Sequence, residues 1–211
     1  MVLHRSSSIL QPLVKHLGRV EYTPTWQAMQ SFTTSRHETT PDELWFLEHL
    51  PVYTLGLNGK PAHILTAGDI PVVKTDRGGQ VTYHGPGQIV VYLLFDLRRH
   101  GYGVRELVRR MEGAVIDLLA EYGVRAERKE GAPGVYVNDA KIAALGLRVR
   151  RHCCYHGLAI NVDMDLEPFF HINPCGYPGL VVTQTRDLGI RDSIQEVTQR
   201  LLPHLLAVVG A

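Results

Sequence analysis

The sequence predicts an α+β fold built on a mixed, largely antiparallel sheet, and three observations predict it. Ile89 to Phe95 is an unbroken apolar run of strand length, the pattern of a central strand buried on both faces. Val104, Leu107, Val108, Met111, Val115, Leu118, Leu119 and Tyr122 recur at helical spacing, so an amphipathic helix follows that strand and stops at Gly123. Gly134–Val137 and Lys141–Val149, joined by a turn at Asn138-Asp139, have the composition of a hairpin. Strands and helices therefore mix without a regular strand–helix repeat, which is the mark of the α+β class.

The remaining elements follow in chain order. Residues 1–14 carry no motif and read as a tail ahead of a single domain over 15–211. Met1 to Gln11 is polar and serine-rich, without the apolar segment and small-residue cleavage pattern of a secretory signal. Thr23-Pro24, a cap and a proline at the first helical position, opens a helix that runs to about Ser35. Glu43–His49 and Val72–Thr75 read as strands, as does Leu158–Val162 later. A last helix opens with the capping box Ser193-Ile194-Gln195-Glu196 and buries Val197, Leu201 and Leu205, with Pro203 as its kink or its end.

Composition narrows the function. A net charge of +1 over 211 residues argues against nucleic-acid binding, and no apolar stretch reaches the ~18 residues of a membrane span. Cys153, Cys154 and Cys175 form no disulfide framework, so a reducing, cytoplasmic setting is expected. The run His152-Cys153-Cys154-Tyr155-His156 is rich in metal-ligating types. Adjacent cysteines poorly serve one tetrahedral ion, however, and no metal site is expected there.

Cys175 sits in Asn173-Pro174-Cys175-Gly176-Tyr177-Pro178-Gly179, where prolines and glycines shape a turn and do not fill a core. A thiol presented on a turn is a candidate nucleophile, although most free cysteines do no chemistry. Lys141 shares a strand face with Ala143, Leu145, Leu147 and Val149. Burial of that face would push its pKa down and let it partner a thiolate. Periodicity alone equally allows a stem lying on apolar surface with its ammonium in water. Between two strands lies Arg77-Gly78-Gly79-Gln80-Val81-Thr82-Tyr83-His84-Gly85-Pro86-Gly87-Gln88. It is neither a dinucleotide fingerprint nor a P-loop, but its glycines and hydrogen-bonding side chains suit close approach of a ligand.

Arg77–Gln88, Lys141-Ile-Ala-Ala-Leu-Gly146, His156-Gly-Leu-Ala-Ile-Asn161 and Asn173-Pro-Cys-Gly176 together resemble the lipoyl(octanoyl) transferases, over about Glu43 to Leu188. That resemblance implies the biotin/lipoate protein ligase-like fold, a mixed sheet flanked by helices. It implies an acyltransferase that moves an octanoyl group from the phosphopantetheine thioester of acyl carrier protein, with no cofactor of its own. The acceptor would be a lysine of the lipoyl domains of 2-oxoacid dehydrogenase complexes or of the glycine cleavage H protein. By the same resemblance Cys175 is the acyl-thioester nucleophile and Lys141 lowers its pKa. Arg77, Gly78, Gly79, Gln80, Val81, Thr82, Tyr83 and His84 would bind substrate, with Ala144, Leu145, Gly146, Gly157, Leu158 and Ala159. Small residues among these would floor an apolar tunnel. Oxyanion donors are expected among backbone amides near Cys175 or in the glycine segment. Arg98-Arg99, Arg109-Arg110 and Arg148, Arg150, Arg151 are candidate docking groups for an acidic carrier. Two rival classes stay open, an ATP-dependent ligase of lipoate or biotin and a non-catalytic carrier-binding module.

Overall fold

Alternation along one strand explains how the core divides. The structure, a computed structural model, describes residues 11–210. Its elements are β1 (Leu13–Val20), α1 (Tyr22–Thr34), β2 (Glu43–His49), β3 (Val52–Leu55), β4 (Val72–Lys74), β5 (Val81–His84) and β6 (Gln88–Asp96). They continue with α2 (Leu97–His100), α3 (Val104–Glu121), β7 (Glu127–Lys129), β8 (Ala132–Val137), β9 (Ala140–Arg150), β10 (Cys153–Asn161) and α4 (Ile194–Gly210). In β6, Ile89, Val91, Leu93 and Phe95 meet the apolar faces of α3 and α4, while Val90, Tyr92 and Leu94 meet Met29 of α1. Successive strand side chains point to opposite faces, so a strand covered on both sides must be apolar throughout.

The main sheet has the order β1-β2-β6-β10-β9-β8-β7 and is antiparallel except for the β1–β2 pair. A second sheet, β4-β3-β5, carries the Arg77-to-Thr82 segment and packs over its own cluster of Tyr53, Val81, Tyr83, Met164, Phe169 and Ile172. The hairpin turn falls on Asn138 and Asp139, both at positive φ (47° and 69°), the backbone a two-residue turn of this hand requires. The capping box forms as expected, with Glu196 Oε2 accepting from Ser193 N (2.7 Å) and Ser193 Oγ accepting from Glu196 N (3.3 Å).

Three expectations shift. α1 begins at Tyr22, with extended Glu21 before it in place of a Thr23 cap. Pro24 still lies in the first turn, where its missing N–H leaves no carbonyl unpaired. β10 starts at Cys153, well before Leu158, and α4 runs on through Pro203. Of the tail expected over 1–14, residues 1–10 lie outside the described residues, whereas Leu13 and Val14 pair with Glu43 and Leu44 in β1. No helix among the described residues is long and apolar enough to cross a membrane.

Candidate active site

Lys141 stands at the start of β9, its backbone gripped from both sides by the segment that follows the cysteine loop. Its N–H donates to Val181 O (2.9 Å) and its carbonyl accepts from Thr183 N (3.0 Å). The side chain is buried and crosses Gly134, where a Cβ would lie 2.7 Å from the lysine Cε. Gly134 therefore opens the slot that Lys141 occupies, at a φ of 144° that favours glycine. Glu112 of α3 holds this slot in place by accepting from Gly134 N (2.9 Å), and its other oxygen meets Arg128 (3.2 Å).

At the end of the slot the lysine Nζ donates to Pro133 O (3.0 Å) and lies 3.1 Å from Cys175 Sγ, over the Tyr136 ring. Burial acts against this charge, but the Cys175 sulfur and Tyr136 outweigh it, and the ammonium titrates above the ordinary lysine value. This reverses the expectation that burial would push Lys141 down, because the buried face comes with its own partner. Cys175 is partly exposed in a 3-10 turn, Pro174–Gly176, at φ 56° and ψ 14°. A left-handed conformation in a residue other than glycine carries strain and marks a position fixed by its surroundings. Asn173 N donates to His63 O (2.8 Å), which ties the turn to the segment before β4.

A cavity of about 340 Å³ opens beside the pair, within the range of small-molecule sites. Cys175 and Lys141 line it, as do Arg77, Gly78, Gly79, Gln80, Val81, Thr82 and His84. From β9 and β10 come Ala144, Leu145, Gly146, Gly157, Leu158 and Ala159. Tyr83 does not join them. Strand alternation turns its ring to the other side of β5, against Tyr53 and Phe169. The glycines also do more than floor a tunnel. Gly78 N donates to Leu147 O (2.9 Å), and a Cβ on Gly146 would meet Gly78 O at 3.0 Å, so these two let the loop lie on β9. At Gly157 a Cβ would collide with the Val91 carbonyl of the neighbouring strand.

Motif residues far apart in sequence form one buried chain. His84 Nδ1 meets Gln88 Oε1 (2.7 Å), Gln88 Nε2 donates to Asn161 Oδ1 (2.9 Å), and Asn161 Nδ2 donates to Thr183 O (2.9 Å). Thr183 in turn donates to the Lys141 carbonyl. Arg77, itself buried, braces the loop through bonds to Thr54 O (2.6 Å), Thr54 Oγ1 (2.8 Å), Gly78 O (2.9 Å) and Gln80 O (2.7 Å). Its guanidinium meets neutral oxygens there, and burial pushes its pKa down.

The chain matches the family described as lipoyl protein ligase A/B catalytic domain over residues 21–206. The chain belongs to that family. An octanoyltransferase of Thiobacillus denitrificans is 66% identical, covering 92% of this chain and 88% of that protein. One from Laribacter hongkongensis is 62% identical, covering 91% and 93%. Among solved structures, a putative lipoate protein ligase from T. acidophilum with bound lipoic acid superposes at a TM-score of 0.77 with 16% identity, covering 94% of this chain and 85% of that one. The biotin protein ligase of Aquifex aeolicus follows at 0.56 with 12% identity, covering 94% and 69%. The resemblance carried by the four motifs is borne out, and so is the biotin/lipoate protein ligase-like fold.

Within this family frame the cavity contains residues that the motifs did not announce. Tyr22 and Tyr92 line it, and Tyr92 OH donates to His49 Nε2 (2.6 Å), whose Nδ1–H donates to Val20 O (3.0 Å). His156 adopts φ 63° inside β10, which brings its ring beside that of Tyr155, with both reaching Asp76. Burial acts against the Asp76 carboxylate, but donors on His156, Tyr155, Trp26 and Gln30 hold it well below the usual range. Burial also keeps His156 below an ordinary histidine, so its 2.9 Å contact to Asp76 is a hydrogen bond from a neutral ring. A lone aspartate before Arg77 gives no signal, since its partners come from α1 and β10. The two other cysteines stay apart from this chemistry. Cys154 is fully buried in the core and pushed up to about 12 by burial, and burial also raises Cys153. Among the described residues no group of three or more metal-ligating side chains comes together.

Proposed function

We propose that the chain transfers an octanoyl group from the thioester of acyl carrier protein to a lysine of a lipoyl domain, through a thioester on Cys175. The observation that carries this reading is the 3.1 Å contact between Lys141 Nζ and Cys175 Sγ at the rim of an apolar-walled cavity. A thiolate is the competent nucleophile, and a buried ammonium at contact distance is its natural counter-ion. The sulfur attacks the thioester carbon, and the carbonyl electron pair moves to oxygen. Collapse re-forms C=O and expels the carrier thiolate, which takes a proton from the Lys141 ammonium. The incoming amine then attacks the acyl-Cys175 carbon and gives its proton to the now neutral Lys141. Cys175 leaves as thiolate, which restores the pair.

Exchange between thioesters costs little free energy, so the reading needs neither ATP nor a metal. The acceptors are the lipoyl domains of 2-oxoacid dehydrogenase complexes and the glycine cleavage H protein. A reducing cytoplasm suits a mechanism that requires a free thiol. Of the basic groups suggested for carrier docking, Arg98 pairs with Asp96, and Arg109 and Arg110 pair with Glu106. Arg99 donates to Thr40 O and Glu38 O. Arg148, Arg150 and Arg151 remain the better candidates for an acidic partner. The purified chain, octanoyl-carrier protein and a lipoyl domain mixed without ATP should yield octanoylated lipoyl domain. A requirement for ATP and free octanoate would overturn the reading in favour of a ligase.

A further inference from the structure

The amides that follow the nucleophile are already committed. Gly176 N donates to Asn173 O (2.9 Å), Tyr177 N donates to Pro174 O (3.0 Å), and Pro174 has no N–H to give. In the glycine segment Gly78 N is bound to Leu147 O. Gln80 lines the same cavity as Cys175 and packs beside the residue that follows it. A Cβ on Gly176 would stand 3.2 Å from Gln80 Cγ, 3.4 Å from its Cδ and 3.5 Å from its Nε2. The carboxamide is oriented, because Oε1 accepts from Lys60 N (3.1 Å) and Nε2 must therefore be the opposite, donating end. The backbone of Gln80 is pinned as well, its carbonyl accepting from Arg77 (2.7 Å) and from Gly56 N (3.1 Å). Among the described residues Nε2 meets no protein acceptor.

We propose that the Gln80 side-chain amide is an oxyanion donor for the tetrahedral intermediates formed at Cys175. The assignment rests on the thioester reading above. A preoriented amide donor that meets no protein acceptor among the described residues stabilises charge that appears only when the carbonyl oxygen becomes an oxyanion, which lowers the barrier without tightening ground-state binding. A side chain on Gly176 would press on Gln80, and the φ of 79° there already favours glycine.

The test uses the full chain carrying Gln80→Met, which keeps length and neutrality and removes the donor. Two rates are measured: single-turnover acylation of Cys175 by octanoyl-carrier protein, and alkylation of Cys175 by iodoacetamide, a displacement that passes through no oxyanion. Acylation should fall about 10²- to 10³-fold with KM little changed, while alkylation stays within about threefold. Gln80→Glu, which keeps the acceptor for Lys60 N, should lose acylation at least as severely. Acylation by Gln80→Met within about fivefold of the parent, or acylation and alkylation falling together, would overturn the assignment. A parent chain that acquires no octanoyl group on Cys175 would overturn the thioester reading, and the oxyanion role with it.

Discussion

At the residue scale, Lys141 and Cys175 form one unit whose geometry is set by a glycine. Gly134→Ala would put a methyl group 2.7 Å from the lysine Cε and 2.7 Å from Ala143 O, at a φ that disfavours alanine. Transfer should fall at least tenfold, accompanied by about 1–3 kcal/mol of destabilisation, read from a turnover assay beside urea denaturation. Lys141→Arg should lose most activity, because a guanidinium does not give up its proton at working pH and does not fit a slot shaped for an unbranched amine. Near-normal turnover by that variant would remove the proton-transfer role while leaving the electrostatic one. Cys175 and Lys141 could be singled out from the sequence because a Pro/Gly-framed cysteine and the Lys-Ile-Ala-Ala-Leu-Gly motif carry local signals, and the fold brings the two side chains together. Gly134 and Glu112 could not be singled out, since their part is defined only once β8 lies beside β9.

At the element scale, the hydrogen-bonded chain His84–Gln88–Asn161–Thr183 ties β5, β6 and β10 to the start of β9. Asn161→Ala would leave the buried Thr183 carbonyl without its donor and the Gln88 amide with only its longer bond to Tyr83 O (3.3 Å). A loss of about 1–3 kcal/mol in urea denaturation and a slower transfer step are expected, because Thr183 also holds the Lys141 backbone. Elements with strong periodicity, β2, β6, α3 and the β8–β9 hairpin, were readable from the sequence, since one face or both faces needed burial. β1, β3 and β5 were not. Leu13 to Val20 is largely exposed and shows no alternation, and its place comes from parallel pairing with β2. β3 and β5 are short, fully buried strands of a second sheet, and runs of such length carry no period to detect.

At the scale of the whole molecule, burial of neutral imidazoles couples stability to acid. His49 titrates at about 4 and His84 at about 3, both below the ordinary 6.5, mainly because burial disfavours the charged ring. As pH falls below about 6.5 the unfolded chain takes up these protons first, so folding stability is full above that value and is lost as pH drops toward the folded values. Denaturation midpoints measured between pH 7 and pH 4 should fall steadily, and a flat profile would contradict this. If Arg148, Arg150 and Arg151 guide an acidic carrier, raising salt should weaken carrier affinity, whereas a salt-independent constant would exclude that role. The most direct test weighs the intact chain after mixing with octanoyl-carrier protein and maps any added mass. One octanoyl group on Cys175, lost on adding lipoyl domain and never formed by Cys175→Ala, is the expected result. Unmodified protein that still octanoylates the lipoyl domain, or an adduct on another residue, would contradict the central claim.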